Sequence, residues 1–220
     1  MNVFVVYRRL YRIGRHFAVL LGRSDESWVP WRGLHYWFAD LLFLLLDILF
    51  IAELHSLLTF LIGMRGRRLT EEEVAIAHAY FGDQIDTTKV RLWDGLGGSL
   101  SRRVHAFVTF NTINCTKKMS KAILVHELVH VWQYQKFGSL YIPRALTAQW
   151  SAVGYDYGGL QALYHDMLEG GRFIDYNFEQ QGDIFQHYYS LQQESALPAN
   201  AMHIAVYAYF AEQVKVWSKS

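Results

Sequence analysis

Two histidines four residues apart, His126 and His130, bracket Glu127 within "KAILVHELVHVWQYQ" at 121–135. Their neighbours Ile123, Leu124, Val125, Leu128, Val129 and Val131 are apolar. An apolar helix gains nothing by burying two imidazoles and a carboxylate, because each buried polar group costs free energy unless it finds a partner. Residues i and i+4 project from one helix face, so both rings can ligate a single metal ion. Glu127 sits about 100° around from His126, beside the ion and placed to take a proton from water. A catalytic zinc keeps three protein ligands and leaves one position for water. The expected third ligand is Glu179, in "NFEQQGDIF". Asp183 follows four residues later on the same face, where it can hydrogen-bond the outer nitrogen of a ligating histidine and hold its tautomer.

A structural zinc site would instead close with four protein ligands, often cysteines. Cys115 is the only cysteine. That excludes a Cys-rich site and an intrachain disulfide, while His165, Asp175 and His187 stay open as a fourth ligand. Cys115 itself reads first as a small buried hydrophobe and second as a thiol near the metal.

H-E-x-x-H followed by E-x-x-x-D resembles the glutamate-ligand zincins. Over about residues 67–189, "RRLTEEEVAIAHAYFGDQIDTTKVRL", "FVTFNTINC", "HELVHVWQYQ" and "NFEQQGDI" are similar in order and spacing to a family of bacterial metallopeptidases labelled Vgr-related, after secretion-spike genes. The resemblance implies one zinc per chain, held by His126, His130 and Glu179. It implies Glu127 as general base, Asp183 behind a ligand, and a zincin-like core that hydrolyses peptide bonds. It also implies a second oxyanion donor, for which Tyr155, Tyr157, His165, Tyr176 and His187 are available. Tyr157, in the Gly-bounded loop "GYDYG", is preferred. The strand at 105–111 is expected to pair with an extended peptide or protein substrate.

The elements that must position these groups are legible from their ends. Ser120 caps the metal helix and Gly138 ends it. Thr70 with Glu73, and Asn177 with Gln180, have capping-box spacing. Pro198 opens a last helix. Residues 90–93 and "HAFVTFNTINC" (105–115) read as strands. The expected fold is α+β, mostly α, with a small sheet.

Residues 1–64 read as a helical appendage to a metallopeptidase domain at 65–220. The chain of 220 residues is 52% hydrophobic with a net charge of +1. Residues 1–68 hold nine Arg and five acids, and the remainder twelve Lys/Arg and fifteen acids. That imbalance is too weak and too dispersed for nucleic-acid binding. Val3, Val6, Leu10, Ile13, Phe17 and Leu20 form one stripe of an amphipathic helix, expected to dock on the domain or to bind a membrane surface or a partner. Trp37 to Gly63 is long enough to span a bilayer, yet Asp40, Asp47 and Glu53 interrupt it, so a buried or partner-bound helix is expected. Arginines interrupt the first apolar run, so no ordinary signal peptide is expected. The expected location is the cytoplasm or export by a specialised secretion system, with peripheral membrane association open. The alternative function is a non-catalytic zincin-scaffold adaptor that binds a partner or membrane through residues 1–64.

Overall fold

The computed structural model describes residues 3–22, 34–96, 105–117, 119–194 and 201–217. Three helices, α1 (Val3–Leu20), α2 (Leu34–Ile48) and α3 (Ile51–Leu61), form an N-terminal layer. After α4 (Glu71–Phe81) come three short strands, β1 (Arg91–Trp93), β2 (Ala106–Thr109) and β3 (Thr112–Cys115). The chain continues as α5 (Lys121–Phe137), α6 (Tyr141–Gln149), α7 (Gly159–Leu168), α8 (Phe178–Glu194) and α9 (Ala201–Lys215). The fold is therefore α+β and mostly helical.

Local chemistry sets the boundaries that matter for the site. The Thr70 hydroxyl accepts from the Glu73 N–H while the Glu73 carboxylate accepts from the Thr70 N–H, which fixes the start of α4. Ser120 Oγ accepts from the Ile123 N–H to open α5, and Gly138 ends it at φ +73°. A Cβ at Gly138 would lie 2.1 Å from Asp47 Oδ2, so both the left-handed turn and the close approach require glycine. Asn177 Oδ1 accepts from the N–H groups of Glu179 and Gln180, and Gln180 Oε1 accepts from the Asn177 N–H. That second capping box places Glu179 in the first turn of α8.

α5 is central. Leu124, Val125, Leu128, Val129, Val131 and Trp132 are buried around its whole circumference, against the sheet on one side and α8 on another. Each such side chain contributes roughly 1.5–3 kcal/mol on leaving water. β3 lies in the middle of the sheet, parallel to β1 and antiparallel to β2, with Leu92 and Val108 both opposite Ile113. This leaves β2 at an edge.

The structure corrects two expectations and refines a third. The run 105–115 is a hairpin of two strands rather than one. Phe110 turns the chain at φ +59°, a conformation bulky residues seldom adopt. Its ring packs on His55 and Tyr134, so tertiary contacts hold a turn that local composition does not announce. Trp37 to Gly63 is likewise two helices. They break at Phe50, φ +58°, and bend by 61°. Among the described residues no single helix is long and apolar enough to cross a membrane. Finally, α1 docks by a face beside most of its apolar stripe, with only Ile13 of the stripe packed against the core and Phe17 against the Trp37 ring. Arg9 and His16 are buried, whereas Val3, Leu10, Phe17 and Leu20 are exposed. Arg8 and Arg12 donate to the carbonyls of Gln135 and Lys136 at the C-terminal end of α5, where cations are favoured. The stretches 22–33 and 94–103, read as linker and loop, fall largely outside the described residues, as does Pro198.

Candidate metal centre

α5 presents His126 and His130 one turn apart, and α8 crosses beside them with Glu179. The Nε2 atoms of both histidines lie 3.5 Å from Glu179 Oε2. These three potential ligand atoms are all within 4.8 Å of one another, and all three residues are buried. Tetrahedral ligands about 2.0–2.1 Å from a zinc ion stand about 3.3 Å apart, so the spacing is that of a metal site. Two nitrogens and a carboxylate oxygen suit zinc among the divalent ions. Among the described residues, no other group of three or more His, Cys, Asp or Glu converges in this way.

Glu127 supplies an independent test of fit. It is buried, and its Oε2 has no hydrogen-bond partner. An orphaned carboxylate oxygen beside three convergent ligands is poised for a solvent molecule or ion. Burial raises the Glu127 pKa, with the two histidines opposing. Burial pulls the His126 imidazolium down, but Asp183 and Glu179 outweigh it and raise that pKa to about 10. His130 is also raised, Glu179 overcoming burial. Glu179 is held well below the usual carboxylate range by His130 and His126 despite its burial. The cluster thus draws positive charge, and a divalent cation satisfies that demand without protonating either ring.

The histidines are oriented from behind. His126 Nδ1 lies 3.1 Å from Asp183 Oδ1, close but not aligned for a full hydrogen bond. His130 Nδ1 is 2.8 Å from Gln133 Oε1. The Gln133 amide nitrogen is committed to two acceptors, the Phe178 carbonyl and Gln181 Oε1, and Gln181 donates in turn to the Tyr176 carbonyl. Gln133 therefore accepts from His130. That fixes the proton on Nδ1 and frees Nε2 toward Glu179. Gly182 completes the arrangement, because a Cβ there would lie 2.6 Å from His126 Cε1 and Nε2. Only glycine lets α8 lie flat on the imidazole.

The expected oxyanion donor, Tyr157, is turned elsewhere. Its hydroxyl is 2.6 Å from His187 Nδ1 and 2.7 Å from the Tyr207 hydroxyl. Tyr155 is the loop tyrosine beside the centre, with its ring 6.1 Å from that of His126 and its hydroxyl pKa raised by burial and by the nearby Glu179. The other candidates are also engaged away from the centre. His165 is exposed beside Asp166, Asp175 pairs with Arg172, and Tyr176 donates to Asp166. Cys115 is buried in β3. Burial, with Asp94 adding to it, pushes its thiol up to about 11, so it is a neutral packing group there. Gln133, Gln181, Gly182 and Tyr141 were not singled out in the sequence. Tyr141 lies against the His130 ring and donates to the Val108 carbonyl. Two of the four carried a usable signal: Gln133 is a polar residue three after His130 in an apolar helix, and Gly182 interrupts a helix interior.

Fold and site together define a mostly helical α+β chain with a buried His–His–Glu cluster able to hold a metal ion. No family model matches it. It is similar to the type VI secretion system spike protein VgrG2b of Pseudomonas aeruginosa, 30% identical over 144 residues that make up 59% of this chain and 13% of that protein. The chain thus spans a small part of the length of that relative. The solved effector domain of Pseudomonas aeruginosa VgrG2b shares 25% sequence identity, covering 71% of this chain and 89% of that one, with a TM-score of 0.38. A superposition that loose carries no argument about the site.

Proposed function

We propose that the chain is a zinc-dependent hydrolase of peptide (amide) bonds, with His126, His130 and Glu179 as metal ligands and Glu127 as general base. The observation that carries this reading is the unpartnered, buried Glu127 Oε2 beside three convergent ligand atoms. When bound there, zinc supplies a Lewis acid, which lowers the pKa of water from about 15.7 to near 7 and polarises a carbonyl. Glu127 Oε2 accepts the proton of the attacking water and delivers it to the leaving amine nitrogen. Its burial-raised pKa suits both steps. Asp183 and Gln133 hold the two imidazoles with Nε2 inward. Tyr155, at the mouth of the site, is a better-placed donor to the developing oxyanion than Tyr157. β2, at the sheet edge beside α5, suits an extended substrate. The similarity to part of a secretion-system spike protein supports delivery of this hydrolase by a secretion apparatus.

Metal analysis and hydrolysis of a denatured protein test the reading together. The wild-type chain should carry one zinc, lost in His126→Ala. Glu127→Gln should retain the zinc and lower hydrolysis by at least about 100-fold. A Glu127→Gln variant that cleaves at the wild-type rate removes the base assignment. A wild-type chain that binds no divalent metal removes the proposal as a whole.

A further inference from the structure

The N-terminal layer is built with its polarity reversed, independently of the chemistry at the metal centre. Its aspartates point toward the body of the protein, while Glu53 on α3 stays half-exposed. Asp40 pairs with Arg144, and Asp47 accepts from the Ser139 N–H and hydroxyl and lies near Arg12. Arg9 pairs with Glu53 and covers the Phe50 ring. The outward faces of α2 and α3 carry Phe38, Leu42, Leu45, Leu57, Leu58 and Leu61, all between 44% and 67% exposed. Water is a poor solvent for so continuous an apolar face.

The hydroxyls of α3 are arranged for hydrocarbon, and the charge of Glu53 is paired with Arg9. The Ser56 hydroxyl donates to the Ala52 carbonyl, and the Thr59 hydroxyl donates to the carbonyls of His55 and Ser56. Both are satisfied on their own helix, as lipid requires. At the break between the helices, the Leu49, Phe50 and Leu54 N–H groups keep carbonyl partners, while α3 opens without a side-chain cap. A protein partner would normally find about one hydrogen bond per 100–200 Å², and this face offers it few. Just past α3, Arg65 covers the Phe60 ring of the apolar surface, and Arg68 is exposed three residues further on.

We propose that α2 and α3 embed their outward faces in the acyl-chain region of one leaflet of a lipid bilayer, with Arg65 and Arg68 at anionic headgroups. Neither helix spans by itself. The two, of 15 and 11 residues, are bent by 61°, and at 1.5 Å per residue each helix is shorter than the hydrocarbon core of about 30 Å. Asp40 and Asp47 tether the segment to the body.

Flotation of the full chain with vesicles tests this. Equimolar phosphatidylcholine and phosphatidylglycerol should carry the wild type upward. L42E/L57E should lose at least about tenfold in bound fraction while keeping its circular dichroism, since both side chains project from the surface. Arg65→Ala with Arg68→Ala should weaken binding to the anionic vesicles and leave binding to phosphatidylcholine alone unchanged. A wild type that stays at the bottom of the gradient overturns the proposal, as does L42E/L57E floating equally well. A wild-type dimer that L42E/L57E converts to monomer, without flotation of either, assigns the face to a second copy instead.

Discussion

The N-terminal layer and the α5–α8 core both bury charged and polar side chains, but they resolve the cost differently. In the layer, Asp40 meets Arg144 of the body and Asp47 meets the Ser139 N–H and hydroxyl of the body, with Arg12 of the layer itself nearby. In the core, His126, His130 and Glu179 converge while Glu127 keeps an oxygen unpartnered. Closed pairing attaches one part to another. Open convergence leaves room for an ion and for chemistry. The regions also differ in their apolar residues: Leu128 on α5 is fully buried, whereas Leu57 on α3 is 54% exposed.

Four experiments break or sharpen this contrast. The largest effect is expected from Asp47→Ala, which leaves the buried Ser139 N–H and hydroxyl without their acceptor and takes the carboxylate away from Arg12, which keeps only its bonds to the Gln135 and Lys136 carbonyls. Removing one partner of a buried pair costs about 3–5 kcal/mol, and denaturant unfolding should show that loss. A loss below about 1 kcal/mol would mean that the pair behaves as a surface bridge. Next, Leu128→Ala should cost about 2–5 kcal/mol, while Leu57→Ala in detergent-free buffer should stay within about 0.5 kcal/mol of the wild type. Equal losses would show that the outer face of α3 is packed in solution. Third, Gln133→Leu should weaken zinc affinity about 10–100-fold, read by chelator competition, with the fold retained. Unchanged affinity would make Gln133 a packing residue only.

The smallest effect concerns pH. Two bonds to Arg67 hold the Glu73 carboxyl below its ordinary value, and the Thr70 cap adds to this. A carboxylate with a lowered folded pKa contributes its full stability above its unfolded value near 4.5, and that contribution disappears as pH falls through the lower folded value. Glu73→Ala should therefore cost about 0.5–1 kcal/mol at neutral pH. The difference from wild type should vanish in acid below the folded pKa, as titrated unfolding would reveal.

Much of the centre was readable before any coordinates. The i, i+4 histidines need only a helix to share a face, and Ser120, Gly138, Asn177 and Gln180 announce where the two helices begin or end. Those are local effects, decided within one turn of chain. Three features were not local. Tyr155 and Tyr157 flank the same residue, and only the fold of the 150–158 segment decides which faces Glu179 and which faces His187. The Phe110 turn and the Phe50 break are left-handed residues held by their contacts, so composition around them is silent.

The sequence by itself determined the residue types of the candidate centre, their spacing along two capped helices, and the amphipathic character of the N-terminal run. Which face of α1 turns inward was decided by the tertiary structure alone. Arg8 and Arg12 face the body because the carbonyls ending α5 stand opposite them, and these lie more than a hundred residues away along the chain. A hydrophobic stripe declares only that one side of a helix avoids water. Whether that side meets a core or a different apolar phase depends on what the rest of the helix can bind.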